Sequence, residues 1–138
     1  AANWCSYTVS VISVDAQKVI KTIKIGRYPR GIAVSSDSKR AYVAEMGGNR
    51  IHVINLEDFT VSYIPIGSNP RAIVLSPDDT KMYVTMNLSG KVASWDLLAN
   101  KACKSVKTGE AALSLAIVEI LIISYSLFFG RKILLLLP

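Results

Sequence analysis

Apolar residues in the first 110 positions come in short runs, several of them interrupted by polar residues at alternate places. Val19, Lys21, Ile23 and Ile25 fall mostly on one parity around Thr22 and Lys24, while Ile32-Ala33-Val34 and Ile51-His52-Val53-Ile54 are short β-rich runs. A two-residue period lays one side of a strand against a core. Turn residues separate the runs. Ser76-Pro77-Asp78-Asp79 suits a type I turn, with Pro77 fixing the second residue and Ser76 able to bond nearby backbone. Gly47-Gly48-Asn49 and Ser89-Gly90 punctuate the next connection. No helical stretch of 10 or more residues lies between the runs before residue 110, which excludes alternating strand–helix units. The pattern predicts an all-β fold.

The runs repeat. Tyr28-Pro29-Arg30-Gly31-Ile32-Ala33-Val34-Ser35-Ser36-Asp37 superposes on Asn69-Pro70-Arg71-Ala72-Ile73-Val74-Leu75-Ser76-Pro77-Asp78 at a shift of 41. Tyr42-Val43-Ala44 meets Tyr83-Val84-Thr85 at the same shift, and Val9-Ser10-Val11-Ile12 meets Ile51-His52-Val53-Ile54 at 42. Gly26, Gly67 and Gly109 close successive units. Four short strands in a unit of this length match the make-up of one propeller blade.

These units resemble the YVTN-type β-propeller repeat, whose tetrapeptide reads here Tyr42-Val43-Ala44-Glu45 and Tyr83-Val84-Thr85-Met86. Glu45 and Met86 stand where the family has Asn, and Ser38 and Asp79 where it has a turn Gly. The resemblance covers residues 2–117. It implies inner strands at Ile32–Ser35 and Ile73–Ser76, then strands at Tyr42–Glu45 and Tyr83–Met86, and at Ile51–Asn55 and Val92–Asp96. Outer strands follow at Val19–Ile25, Val61–Ile66 and Ala102–Val106. Each blade buries its sheet faces on its neighbours, so Tyr42 and Tyr83 are expected between blades. Ala2-Asn3 aligns with Ala44-Glu45, so the chain opens at the end of a strand and holds about two and a half blades of an incomplete β-propeller. Unprotected faces and strand edges then favour self-association.

Residues Gly109–Ile117 still follow the repeat, whereas 118–138 form an aberrant hydrophobic C-terminal tail with no Ser-x-Asp and Tyr-Val continuation. The break reads as a frame change or misassembled end. The alternative is a membrane helix over Ala111–Phe129, 19 residues with the single charge of Glu119. Its aliphatic and phenylalanine side chains contribute about −5 kcal/mol to insertion, against about +3 kcal/mol for the carboxylate. That helix would consume Ala111–Ile117, which the repeat assigns to a strand, so the two readings exclude each other.

Composition adds mainly exclusions. The 138 residues are 51% hydrophobic and carry 16 Lys and Arg against 10 Asp and Glu, a formal charge of +6. The lysines are dispersed and no reader motif accompanies them, so nucleic acid is not an expected partner. Cys5 and Cys103, far apart and read as small strand residues, make no disulfide scaffold, and His52 is the only histidine. No metal or cofactor is expected. Asp37, Asp78 and Asp79 read as turn caps, and Ser35 and Ser76 lack the surroundings of a hydrolase nucleophile. Asn87-Leu88-Ser89 fits the glycosylation acceptor pattern. Trp95 reads as core or blade edge.

Arg30 and Arg71 are the candidate binding residues, at one place in two successive units. By the resemblance they enter the inner strand at a channel mouth, where guanidiniums could hold carboxylate or phosphate. The same placement suits stapling of neighbouring blades through carbonyls or carboxylates, the commoner role for such arginines. Ala112-Leu113 replaces the Pro-Arg pair in the third unit. The resemblance implies a non-catalytic binding or structural module of an exported, surface or periplasmic protein, whose partner is a protein or an anionic ligand. A fragment of a propeller enzyme, lactonase-like or a redox subunit, is the alternative.

Overall fold

The computed structural model describes residues 1–118, 121–126 and 133–135. They form four antiparallel sheets in which strands adjacent in sequence are adjacent in space. The first sheet is β1 (Ala2–Asn3), β2 (Thr8–Ser13) and β3 (Lys18–Lys24). The second is β4 (Pro29–Val34), β5 (Arg40–Glu45), β6 (Arg50–Asn55) and β7 (Val61–Pro65). Its structural repeat, the third sheet, is β8 (Pro70–Leu75), β9 (Lys81–Met86), β10 (Lys91–Asp96) and β11 (Lys101–Lys107). The last holds β12 (Ala112–Val118), β13 (Leu121–Ser126) and β14 (Ile133–Leu135). The inner strand β8 lies against both β4 and β12. This is the all-β, incomplete propeller that the repeat predicts, two whole blades flanked by a three-stranded sheet on either side.

Alternation along the strands builds the contacts between sheets. Ala41, Val43 and Ile54 of the second sheet face Val9 and Ile23 of the first in one buried cluster. The opposite parity, Tyr42, Ala44, Ile51 and Ile64, meets Ile73, Met82, Val84 and Met86 of the third sheet. Val43, Ile51 and Met82 are wholly buried, each such side chain contributing about 1.5–3 kcal/mol. A sheet so clad on both faces holds together only with its neighbours in place. Tyr42 lies between blades as expected, while Tyr83 is half-buried. Trp95 packs partly buried against the larger cluster.

Turn chemistry repeats with the strands. Ser35 Oγ donates to Asp37 Oδ1 at 2.6 Å and accepts from the Arg40 amide, and Ser76 and Asp78 reproduce this with Lys81. Asp79 Oδ2 accepts from both the amide and the hydroxyl of Ser36, each at 2.6 Å, tying the turns of the two whole blades together. Asp79 therefore links blades instead of capping its own turn.

Two expectations need correction. Ala112–Val118 and Leu121–Ser126 are paired strands, so the alternative of a helix over Ala111–Phe129 does not hold there; the rest of that segment lies outside the described residues. The β-branched residues of these stretches favour extended backbone, and β12 packs on β8 and β9 as the repeat requires. Among the described residues no helix is long and apolar enough to cross a membrane. Cys5 is an exposed turn residue, not a strand residue, because the chain reverses right after Asn3: Tyr7 takes a positive φ and its amide donates to the Asn3 carbonyl. Cys103 is an exposed residue of β11.

Candidate functional site

Each inner strand starts with the same irregularity. The register of β4 against β5 slips between Pro29 and Ile32, and that of β8 against β9 between Pro70 and Ile73. Such bulges take a residue out of the ladder and re-aim its side chain. The residues released are Arg30 and Arg71 with their successors Gly31 and Ala72. In β8 the loosened Ala72 amide is satisfied by the Thr85 hydroxyl at 2.8 Å. In β4 the strand must also pass close to its neighbour: a Cβ on Gly31 would lie 2.6 Å from the Arg71 carbonyl oxygen. Glycine at 31 thus lets the two bulges come together, so that the strands carrying Arg30 and Arg71 pass close to each other there.

Neither arginine makes an ion pair among the described residues, where the pairs join Lys39 to Glu57 and Glu45 to Arg50 and His52. Burial, and then the charge of Arg30, push the Arg71 guanidinium below its ordinary range. Arg30 lies half-buried with its guanidinium carbon 4.1 Å from the Trp4 ring centroid, a cation–π stack. Its Nε is buried without a hydrogen-bond partner. Arg30 therefore braces the first blade against the second through an indole face, where a carbonyl or carboxylate had been expected.

Aromatic rings continue from that stack. Tyr28 meets Trp4 edge to face at 5.6 Å between centroids, and Tyr7 meets Tyr28 at 5.5 Å. Trp4 is 44% exposed and Tyr28 37%. The Tyr28 hydroxyl beside it raises the Tyr7 phenol above its ordinary value. This shelf escapes a reading of the sequence because Trp4 and Tyr7 sit in the turn before β2, far along the chain from Arg30. Tyr28 directly before Pro29-Arg30, where the next unit has Asn69, is its one local sign.

A second polar group lies deeper, between the first and second sheets. Glu45, 5% exposed, accepts from His52 Nε2 at 2.7 Å, from Arg50 Nε at 3.2 Å and from the Arg27 amide at 2.9 Å. Side chains at 26 and 48 would collide with its carboxylate, so Gly26 and Gly48 form its cradle. Glu45 in place of the repeat's Asn, with His52 seven residues on, was the available signal. All three donors to this carboxylate are structural partners, so it acts as a latch between two loops and strand β6.

No protein-family model and no curated protein matches the sequence. Solved structures match the fold. Hydrazine synthase from Kuenenia stuttgartiensis superposes on 88% of the chain with a TM-score of 0.82 and 20% identity, over 36% of its own chain. A functionally unknown protein from Desulfotomaculum acetoxidans DSM 771 superposes on 89% with a TM-score of 0.80 and 21% identity, over 41% of its chain. The chain thus spans less than half the length of either structure, and at these identities the likeness is one of fold.

Proposed function

We propose that the chain is a β-propeller repeat module of the YVTN type, serving an exported or surface-exposed protein by binding and not by catalysis. Its ligand or partner presents an anionic group to Arg30 and Arg71. The observation that supports this reading is that Arg30 and Arg71 stand at equivalent bulges of adjacent inner strands and neither makes an ion pair among the described residues. Two like charges so placed repel, and an oxyanion between them relieves the repulsion while accepting charge-assisted hydrogen bonds. The non-catalytic part is supported by Glu45, the only buried carboxylate among the described residues, being held by His52, Arg50 and the Arg27 amide.

Calorimetric titration of the full chain with citrate and with inorganic phosphate tests the reading. Binding that weakens with added salt is expected, because the contact is between opposite charges at partly exposed side chains. Replacing both arginines, Arg30→Gln with Arg71→Gln, should weaken it at least about tenfold, since hydrogen bonds to charged groups contribute about 1.5–3 kcal/mol each. Equal affinity in the double variant, with its circular dichroism unchanged, overturns the anion site.

A further inference from the structure

We infer that the cleft between the rims of the second and third sheets binds a small aromatic carboxylate, its ring between the sheets and its carboxylate on Arg40. The inner strands β4 and β8 lie against each other, and blades set around a centre diverge outwards from there. Large side chains would close the gap at the rim, but β7 carries the small, exposed Ser62. A cavity of about 380 Å³ remains, within the range of small-molecule sites. Tyr42, Val53 and Ile64 of the second sheet and Leu97, just after β10, supply its apolar surface. Arg40, Ser62 and Asn100 supply its polar groups.

Three observations choose the ligand. No carboxylate lines the cleft, and Arg40 makes no ion pair among the described residues. Its cross-strand partner is the neutral Asn55, whereas Lys81, at the same place in the third sheet, stands opposite Asp96. Asp37, the acid that its charge reaches, is already held by the Ser35 hydroxyl and the Lys39 amide. The guanidinium is left for an outside anion, and its planar fork matches a carboxylate. On the facing bank the Trp95 indole N–H donates to Asn100 Oδ1 at 3.3 Å, which leaves the N–H groups of that amide as further donors. The walls themselves are two sheet faces, so the space between them is a slot that suits a flat ring. Lys81, Tyr83, Ser94 and Cys103, each 41 residues beyond Arg40, Tyr42, Val53 and Ser62, line a cavity of about 190 Å³ on the third sheet. The cleft is thus a product of the repeat, and the unbalanced arginine singles out the larger copy.

Calorimetry of the full chain with 2-naphthoate, the neutral 2-naphthylmethanol and octanoate tests the inference. Naphthoate should bind about tenfold tighter than the alcohol, the difference being its charge-assisted contacts, and tighter than octanoate. Arg40→Gln should weaken naphthoate about tenfold and change the alcohol by no more than about threefold. Ser62→Trp should fill the slot and weaken both at least about tenfold, with circular dichroism unchanged. Ser62→Leu is the variant read if the tryptophan form does not fold. Arg30→Gln with Arg71→Gln should leave naphthoate unchanged, because neither residue lines this cleft. Naphthoate affinity that survives Arg40→Gln or the filled slot overturns the inference, as does octanoate binding tighter than naphthoate. Naphthoate binding that is lost with Arg30→Gln and Arg71→Gln overturns it too, by placing the ligand at the inner strands.

Discussion

Three equivalent positions carry Asn3, Glu45 and Met86, and each finds a partner of its own kind on the following strand. Asn3 donates to the Ser10 hydroxyl at 2.8 Å, Glu45 binds His52 at 2.7 Å, and Met86 lies in the apolar cluster that Ala93 joins. All three pair with the next strand at the same register, Asn3 with Thr8, Glu45 with Arg50 and Met86 with Lys91, so the side chains decide what the blade interface contains. Removing one member of a buried charged group strands the others. Glu45→Ala leaves His52 Nε2 and the Arg27 amide without their acceptor, while Arg50 keeps the Gly48 carbonyl, and should cost about 3 kcal/mol of stability. Replacing the pair together, Glu45→Met with His52→Ala, copies the third blade and should return stability to within about 1 kcal/mol of the parent. Urea unfolding of the two variants measures both values. A double variant as unstable as the single one would mean that the neighbouring glycines and Arg50 require the carboxylate itself.

At the level of elements, the turns joining β4 to β5 and β8 to β9 respond to acid in a direction set by their carboxylates. The Ser35 hydroxyl, with the Lys39 amide, holds Asp37 below its ordinary value of 3.8, and Ser76 and Thr80 do the same for Asp78. A carboxylate depressed in the fold adds stability above its unfolded value, and that stability is lost as pH falls through the folded value. The urea midpoint should therefore hold from neutrality to about pH 4 and decline below it. Asp37→Asn with Asp78→Asn should lower the midpoint at pH 7 and flatten the acid decline. These turns were legible in the sequence because Ser-x-Asp bonds are local, spanning two residues. Strand positions were legible for the same kind of reason, since parity along a few residues sets which side is buried. The Trp4–Arg30 stack and the Glu45–His52 latch were not, because they depend on which blade stands next and on how a bulge aims a side chain. The C-terminal segment misleads for a related cause: hydropathy is equally high in a membrane helix and in a doubly covered strand, and only the packing of β12 on β8 separates the two.

Across the whole molecule, the covered and uncovered sheet faces make a prediction about association. The second sheet is clad on both sides by its neighbours, and the third meets the second on one side and β12 on the other. The first sheet has one such side. At its far end Ile12 stands directly opposite Val19, both more than half exposed, with Val14 exposed in the turn beside them. Single exposed apolar residues are ordinary, but three together on a sheet margin form a surface that water leaves readily when another is offered. Lys18, Lys21 and Lys24 line the same outer strand, and such charges oppose edge-to-edge pairing. Association should therefore proceed through the apolar margin and strengthen with salt, which screens the lysines and leaves the apolar contact intact. Sedimentation equilibrium should show a mean mass that rises with protein concentration and rises further in sodium sulfate. Ile12→Lys with Val19→Lys should bring it back to that of one chain without altering the sheet content seen by circular dichroism. A monomeric parent with a single sharp, cooperative melt would show instead that four sheets in a row are sufficient for the fold to stand alone.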